Sequence, residues 1–133
     1  MSSKRKEIVP VQGLVKPTGV WSVVTAAKPG RMIFVSGLLS KNEAGEIVGV
    51  GDIAAQTEQV LQNLQAALSG AKATLDDVVR VDVYITDMSK FPEIHSVRRK
   101  YFPKDPPSST MVEVSSLTDK RCLIEITAIA VTD

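Results

Sequence analysis

The sequence predicts an α+β domain in which two helices cover one face of a β-sheet. Two amphipathic helical stretches lie between strand-like runs, and the elements follow the order β-β-β-α-β-α-β-β. With 133 residues, 44% of them apolar, the chain has the length and composition of one domain that buries its own core. We therefore expect residues 1–133 to form a single domain.

The N-terminal part predicts an edge strand followed by a hairpin. Residues 8–15 mix aliphatic side chains with Pro10 and Gly13, which indicates a short edge strand that runs into a loop. Residues 21–25 are a β-branched run that ends at a Lys-Pro-Gly turn signal, and residues 31–39 form a stronger strand. We expect these last two runs to pair with each other.

The first helix is the clearest element. Asp52 is suited to cap it, and Gly70 marks its expected end. Its apolar residues recur at helical spacing, and polar residues occupy the other side: Ile53, Val60, Leu61, Leu64 and Leu68 against Gln56, Gln59, Gln62 and Asn63. A shorter helix carries Phe91, Ile94, Val97 and Tyr101, tolerates Pro92 in its first turn and is stopped by Pro103.

Three further strands complete the sheet. Residues 79–86 alternate apolar and polar side chains with a period of two, and residues 110–114 and 123–131 follow the second helix. Two helices cover only one face, so the other face must meet water or another surface. Four residues are too apolar for open water if they point that way, namely Met32, Phe34, Met111 and Leu123. An oligomer is the expected solution, with Arg80, Asp82 and Tyr84 in a mixed polar interior.

Charge and cysteine content exclude several classes of function. A net charge of +1 gives no global attraction to nucleic acid or to an anionic membrane. Cys122 is the only cysteine, so neither an intramolecular disulfide nor a multi-cysteine metal site is expected, and no metal-ligand spacing is present. Without an apolar run behind the basic N-terminus or a membrane-length segment, the cytoplasm is the expected location.

Five sequence words, taken together, give the chain a specific family resemblance. They are residues 34–37 (FVSG), 56–64 (QTEQVLQNL), 81–88 (VDVYITDM), 112–114 (VEV) and 124–126 (IEI). With the elements in this order, the chain resembles the RidA (YjgF, L-PSP) family from about residue 8 to residue 131. The resemblance implies a chorismate-mutase-like fold, a homotrimeric barrel and three pockets between subunits. No cofactor is implied.

The resemblance also implies a chemistry and a set of site residues. In active members an arginine after the proline-rich loop grips the carboxylate of a 2-imino acid, and a glutamate orients the water that hydrolyses it to a 2-keto acid and ammonia. Glu125 matches the glutamate, and Ser36 and Gly37 match pocket positions. Trp21 stands where an aromatic, usually tyrosine, follows the glycine loop.

Two further positions depart from the family pattern. Ser109 occupies the position of the arginine, and Leu38 replaces a common glutamine. A neutral hydroxyl cannot replace a bidentate guanidinium, so the usual small 2-imino acids are expected to be poor substrates. A cation from elsewhere, such as Arg31 or Arg121 of either subunit, is the alternative.

Each candidate residue also has a structural interpretation. Glu125 could be a carboxylate paired with a lysine or arginine, and Trp21 could be a core or interface anchor. Ser109 and Met111 share one face of a strand, which fits either a pocket or interface packing. His95 is expected on the surface beside the basic run 98–100, and Cys122 is expected to be a small buried hydrophobe.

The sequence therefore favours a homotrimer that binds a small metabolite in an inter-subunit pocket and hydrolytically deaminates an enamine or imine, with Glu125 positioning water. A larger enamine of the 2-aminomuconate type is the favoured kind of substrate. The first alternative is a non-catalytic trimer that binds a metabolite. The second is an RNA or protein interaction module. Nucleic acid is the weaker hypothesis, because aromatic residues for base stacking make up only 5% of the chain.

Overall fold

The computed structural model describes residues 5–133 and has the predicted order of main elements. The strands are β1 Lys6–Ile8, β2 Thr25–Ala27, β3 Arg31–Leu38, β4 Val78–Ile85, β5 Ser108–Glu113 and β6 Ile124–Thr132. The helices are α1 Ile53–Gly70 and α2 Phe91–Tyr101. Short 3₁₀ turns, Leu75–Asp77 and Met88–Lys90, lead into β4 and α2. Lys4 of the N-terminal basic run lies outside the described residues.

The main sheet has four strands in the order β3-β6-β4-β5. β5 runs parallel to β4, and the other two pairs are antiparallel. α1 packs on β3 and β6, and α2 packs beside α1 on the same side. The predicted α+β fold with two helices on one sheet face is therefore confirmed.

The predicted hairpin is wrong. β2 pairs with β1 in a separate two-stranded sheet, with Lys6 opposite Ala27, and Lys28 N donates to Arg5 O at 2.9 Å. β3 pairs with β6 instead, because β6 is long enough to satisfy β3 along its length. A turn signal shows only that the chain reverses direction, and it does not choose the partner strand.

The predicted short edge strand that runs into a loop is present, but it lies earlier than predicted, because β1 ends at Ile8 and residues 9–15 are the loop. Pro10 cannot donate to a ladder and Gly13 has a φ of 86°, so the backbone leaves the extended conformation. In the β-branched run at 21–25, Ser22 forms an isolated bridge to Ser108, and regular β2 begins only at Thr25.

α1 has the predicted boundaries, and one of its polar residues has an unexpected position. Asp52 caps the helix by accepting a hydrogen bond from Ala55 N at 3.1 Å. Gln56 is fully buried instead of lying on the polar side. Its amide donates to Arg121 O at 2.8 Å and accepts from Leu123 N at 2.7 Å. These two bonds satisfy the buried amide and fix the chain where it enters β6.

The sheet face without helices is partly apolar, as predicted. Met32 and Phe34 are 58% and 70% exposed on this face. Arg80 and Asp82 form an ion pair on it at 2.8 Å. Met111 and Leu123 were expected here only if they pointed this way; both are partly buried and pack against the core, Met111 from the helix side of β5 and Leu123 from just before β6. For Met111 the reason is its register, because it lies beside the buried Val83.

Candidate functional site

Glu125 lies on the open face of the sheet, against an irregularity in β3. It pairs with Tyr84 of β4, whose side chain is also half-buried. Between Val35 and Leu38 the register of β3 shifts, so that Ser36 and Gly37 bulge beside β6. A Cβ placed on Gly37 would lie 2.2 Å from Glu125 Oε2. Only glycine allows the backbone to approach the carboxylate this closely.

The Glu125 carboxylate has no partner among residues 5–133. No described side chain or backbone group forms an ion pair or hydrogen bond with it. A half-buried carboxylate with a purely structural role is normally paired. The pairing with lysine or arginine that a structural role requires is therefore not found, and both oxygens are available to water or a ligand.

Trp21 lies beside the free edge of β5. Its neighbour Ser22 is hydrogen-bonded to the proline-rich loop that precedes β5, because Ser22 N donates to Pro107 O at 3.0 Å. A Cβ on Gly19 would lie 2.2 Å from both the His95 and the Trp21 rings, so glycine is required there as well. The indole also lines an open cavity of about 210 Å³ together with residues 8–11 and 14–17. The aromatic ring therefore lines a space large enough for a small planar group.

Ser109 and Met111 share one face of β5, as predicted, and that face is the helix side. In the parallel register Ser109 lies beside Val81 and Met111 beside Val83, both of which belong to the core. Ser109 is half-buried on β5, which is an edge strand of the main sheet.

Arg98 supplies a cation at Ser109 that the sequence prediction missed. Its side chain comes from α2 and is only 2% exposed, so the expectation of a solvated basic run is wrong at this position. Arg98 Nη2 donates to Ser109 Oγ at 3.0 Å and to Val20 O at 3.2 Å. The two cations proposed from sequence are engaged elsewhere, Arg31 with Ala71 O and Arg121 with Asp119.

His95 is buried, which corrects the prediction of a surface residue. It is 7% exposed, stacks on Phe91 with ring centroids 4.6 Å apart, and meets the edge of Trp21. Its Nε2 accepts a hydrogen bond from Val20 N at 2.8 Å, which places the proton of the neutral ring on Nδ1. Nδ1 is buried and has no hydrogen-bond partner among residues 5–133. His95 thus holds the backbone that carries Trp21.

The burial of His95 predicts a loss of stability in acid. Burial, with the charges of Arg98 and Arg99, lowers the pKa of His95 in the folded protein below its usual value near 6.5. The unfolded chain therefore binds the proton more readily than the folded protein does. Neutral His95 makes its full contribution to the free energy of unfolding above about pH 6.5, and that contribution is lost as the pH falls through the folded pKa. Protonation also removes the acceptor for Val20 N.

We expect the urea midpoint to be lower at about pH 5.5 than at about pH 7.5, an interval that spans the ordinary histidine pKa. His95→Asn, whose amide oxygen can accept from Val20 N, should lose most of this difference. Equal pH dependence in the two proteins would contradict the assignment.

The predicted site residues form two groups that cannot meet within one chain. Glu125, Ser36 and Gly37 lie on the open face at the β3–β6 pair, and Trp21 and Ser109 lie at the β5 edge toward α2. Ser109 lies beside Val81, which pairs with Ala128, two strands and three residues from Glu125. Glu125 and Ser109 are therefore about 10 Å apart across the strands and about 10 Å apart along them, and they lie on opposite faces of the main sheet.

The described residues contain neither a candidate metal site nor a helix that could span a membrane. Within residues 5–133, no three histidine, cysteine or acidic side chains come together as metal ligands. Across the same residues, neither helix combines the length and apolar character that crossing a bilayer requires. Cys122 is fully buried, as expected, and burial raises the pKa of its thiol.

Comparisons with known proteins agree with this fold. The sequence profile of the family described as Endoribonuclease L-PSP matches residues 14–132. A RutC family protein of Pyrococcus horikoshii is 42% identical over 126 residues, covering 94% of this chain and 97% of the relative. The 3-aminoacrylate deaminase RutC of Acinetobacter baylyi is 36% identical over 125 residues, covering 94% and 97%. A solved structure of a conserved Rid family protein from Yersinia pestis superposes with a TM-score of 0.88 at 30% identity, covering 96% and 98%.

The class of protein is thus a small α+β domain with two helices on one face of a mixed sheet. The chain belongs to the Rid family, whose profile is described as Endoribonuclease L-PSP and covers nearly all of it.

Proposed function

We propose that the protein hydrolyses the carbon–nitrogen bond of a small enamine or imine and releases ammonia. The observation that carries the proposal is the Glu125 carboxylate, which is half-buried against the Gly37 bulge and has no partner in residues 5–133. The similarity to a protein named 3-aminoacrylate deaminase supports an enamine as substrate.

The reaction needs one group that can both accept and return a proton. Protonation of an enamine on carbon gives an iminium ion. Water then attacks the iminium carbon while Glu125 accepts a proton from that water, which leaves a neutral carbinolamine. Glu125 returns this proton to nitrogen, and the carbon–nitrogen bond breaks as the hydroxyl proton passes to the carboxylate, so that iminium plus water gives a carbonyl compound, ammonia and a proton. A positioned carboxylate can make both transfers.

The complete pocket is proposed to form between copies of the chain. Glu125 with Ser36 and Gly37 would come from one protomer, and Trp21 with Ser109 from its neighbour. Met111 would support the position of Ser109 from the same strand. The exposed Met32 and Phe34 on the open face support an assembly that covers them.

We expect light scattering at micromolar concentration to give the mass of three 14.3 kDa chains. Phe34→Asp should shift the mass toward that of one chain, because it places a charge in the covered face. Glu43→Asp, at an exposed position, is the matched control. A single-chain mass for the unmodified protein would contradict the shared pocket.

The activity is tested by ammonia release from freshly generated enamines and imines. The substrates are 3-aminoacrylate, 2-iminobutyrate and an enamine of the 2-aminomuconate type, each compared with its spontaneous hydrolysis. We expect acceleration of at least one of them. Rates equal to spontaneous hydrolysis for all three, with the oligomer intact, would overturn the proposal. Ligand binding without turnover would instead identify a metabolite-binding protein.

A further inference from the structure

The backbone of Val20 is held from both sides by two side chains of α2. His95 Nε2 accepts a hydrogen bond from Val20 N at 2.8 Å, and Arg98 Nη2 donates to Val20 O at 3.2 Å. The two side chains are three residues apart and therefore lie on the same face of the helix. Val20 is 3% exposed, so both hydrogen bonds are shielded from water. We call these three residues the Val20 clamp.

The Val20 clamp holds the end of the loop that leads to Trp21. Residues 10–18 are exposed, and none of them forms a hydrogen bond with another described residue. The nearest backbone hydrogen bonds on either side of the loop and the clamp are those of Val9 and Ser22. A segment with so few buried contacts can open locally while the rest of the protein stays folded.

The clamp can close only while His95 is neutral. The neutral ring accepts from Val20 N at Nε2, whereas the protonated ring carries a proton on both nitrogens and has no acceptor. Two N–H groups would then face each other in a buried site. Because a buried N–H group that loses its partner changes an equilibrium constant about ten- to a hundredfold, the proton should favour the open loop by about that factor.

The surroundings of His95 reinforce this dependence. The charged groups that act on it are the cations Arg98 and Arg99, and no carboxylate of the described residues is among them. The helix packed against α2, α1, directs Glu58 to Lys100 instead. On the other sides of the imidazole lie three groups that do not titrate, namely Gly19, Trp21 and Phe91. Burial and the two positive charges lower the pKa of the folded ring, so the clamp is closed at neutral pH.

We propose that the Val20 clamp is a pH-sensitive switch: protonation of His95 opens the clamp and releases the loop that leads to Trp21. The loop and the indole line the same open cavity of about 210 Å³, so the cavity changes shape when the clamp opens. The switch itself does not depend on the reaction. Its consequence for substrates rests on the proposed function, because Trp21 belongs to the proposed pocket.

Trp21 reports the state of the clamp directly, because the chain has one tryptophan and one histidine and the two rings are in edge contact. From about pH 7.5 to about pH 5, we expect the emission of the folded protein to move to longer wavelength and its quenching by acrylamide to increase, with a midpoint below about 6.5. The proton NMR signal of the histidine ring should titrate with the same midpoint. Circular dichroism shows that the protein is folded at each pH.

Two variants separate the hydrogen bond from the charge. His95→Asn offers Val20 N an amide oxygen that does not titrate, so its fluorescence should keep the neutral-pH value throughout. His95→Leu removes the acceptor, so its fluorescence should resemble that of the acid form at both ends of the range. If neither variant folds, the unmodified protein still decides, since different midpoints for the histidine and tryptophan signals would contradict the switch.

A His95 that only stabilises the fold would give a different pattern. The urea midpoint would fall in acid, but the emission and quenching of the folded protein would not change. That result, or an equal change in His95→Asn, would overturn the proposal.

The consequence for the pocket is measured as the KM for 3-aminoacrylate. It should rise in acid for the unmodified protein more than for His95→Asn, while an equal rise in both would show that the clamp does not control the pocket. Absence of turnover would count against the proposed function and leave the fluorescence result in force.

Discussion

Glu125→Gln is expected to lower turnover by about 10²- to 10⁴-fold, the usual contribution of general acid-base help. Glutamine keeps the shape of the side chain beside Gly37 and can still hold a water, but it cannot accept a proton from that water. Since the carboxylate has no partner in residues 5–133, no cation is stranded by the change, and the melting temperature should shift little.

Turnover and melting temperature must be measured on the same preparation of this variant. Glu43→Gln is a matched control, because Glu43 is exposed in the loop between β3 and α1. An early-melting protein with normal turnover would assign Glu125 to the scaffold. An intact oligomer with abolished turnover would assign it to the chemistry.

Gly37→Ala is expected to reduce turnover by about a hundredfold, because misplacing a catalytic group by about 1 Å has effects of that size. The new Cβ would lie 2.2 Å from Glu125 Oε2 and 2.8 Å from its carboxyl carbon, so the carboxylate must move. The flexible side chain can give way, so the fold should survive.

Gly70→Ala provides the control for this experiment. Gly70 ends α1, and a Cβ there would meet nothing within 4 Å. Turnover should be unchanged in this variant, and helix stability should increase slightly. Normal turnover in Gly37→Ala would show that the contact between the bulge and Glu125 has no part in the reaction.

The sequence predicted the elements whose signals are local. α1 was predicted by a cap and a sustained helical period, and β4 by its alternation, since neither depends on distant partners. Pairing in the N-terminal region was not predicted. β1 and β2 are three residues each, too short to show a period, and their pairing depends on which distant edge remains free.

For the predicted site residues, strand alternation in the sequence predicted which of them share a face of a strand, but not which face of the sheet that is. Ser109 and Met111 do share a face, but the face itself depends on the parallel register with β4, which a sequence does not display. Arg98 and His95 were missed because the basic run 98–100 indicates a solvated face. Their spacing contained the signal, since Ile94, His95 and Arg98 fall on one side of α2 and all three are buried.

The central claim is that the pocket joins Glu125 of one protomer to Ser109 of another, and subunit mixing tests it most directly. Glu125→Gln inactivates one half of the pocket. Ser109→Glu inactivates the other, because its tethered carboxylate occupies the place of the substrate. Equal amounts of the two chains are unfolded together, refolded and assayed for ammonia release.

Random assembly with head-to-tail interfaces leaves both halves intact at about one interface in four. We therefore predict about a quarter of the unmodified activity from two chains that are each nearly inactive alone. A mixture no more active than its better component would show that the site is not shared between protomers.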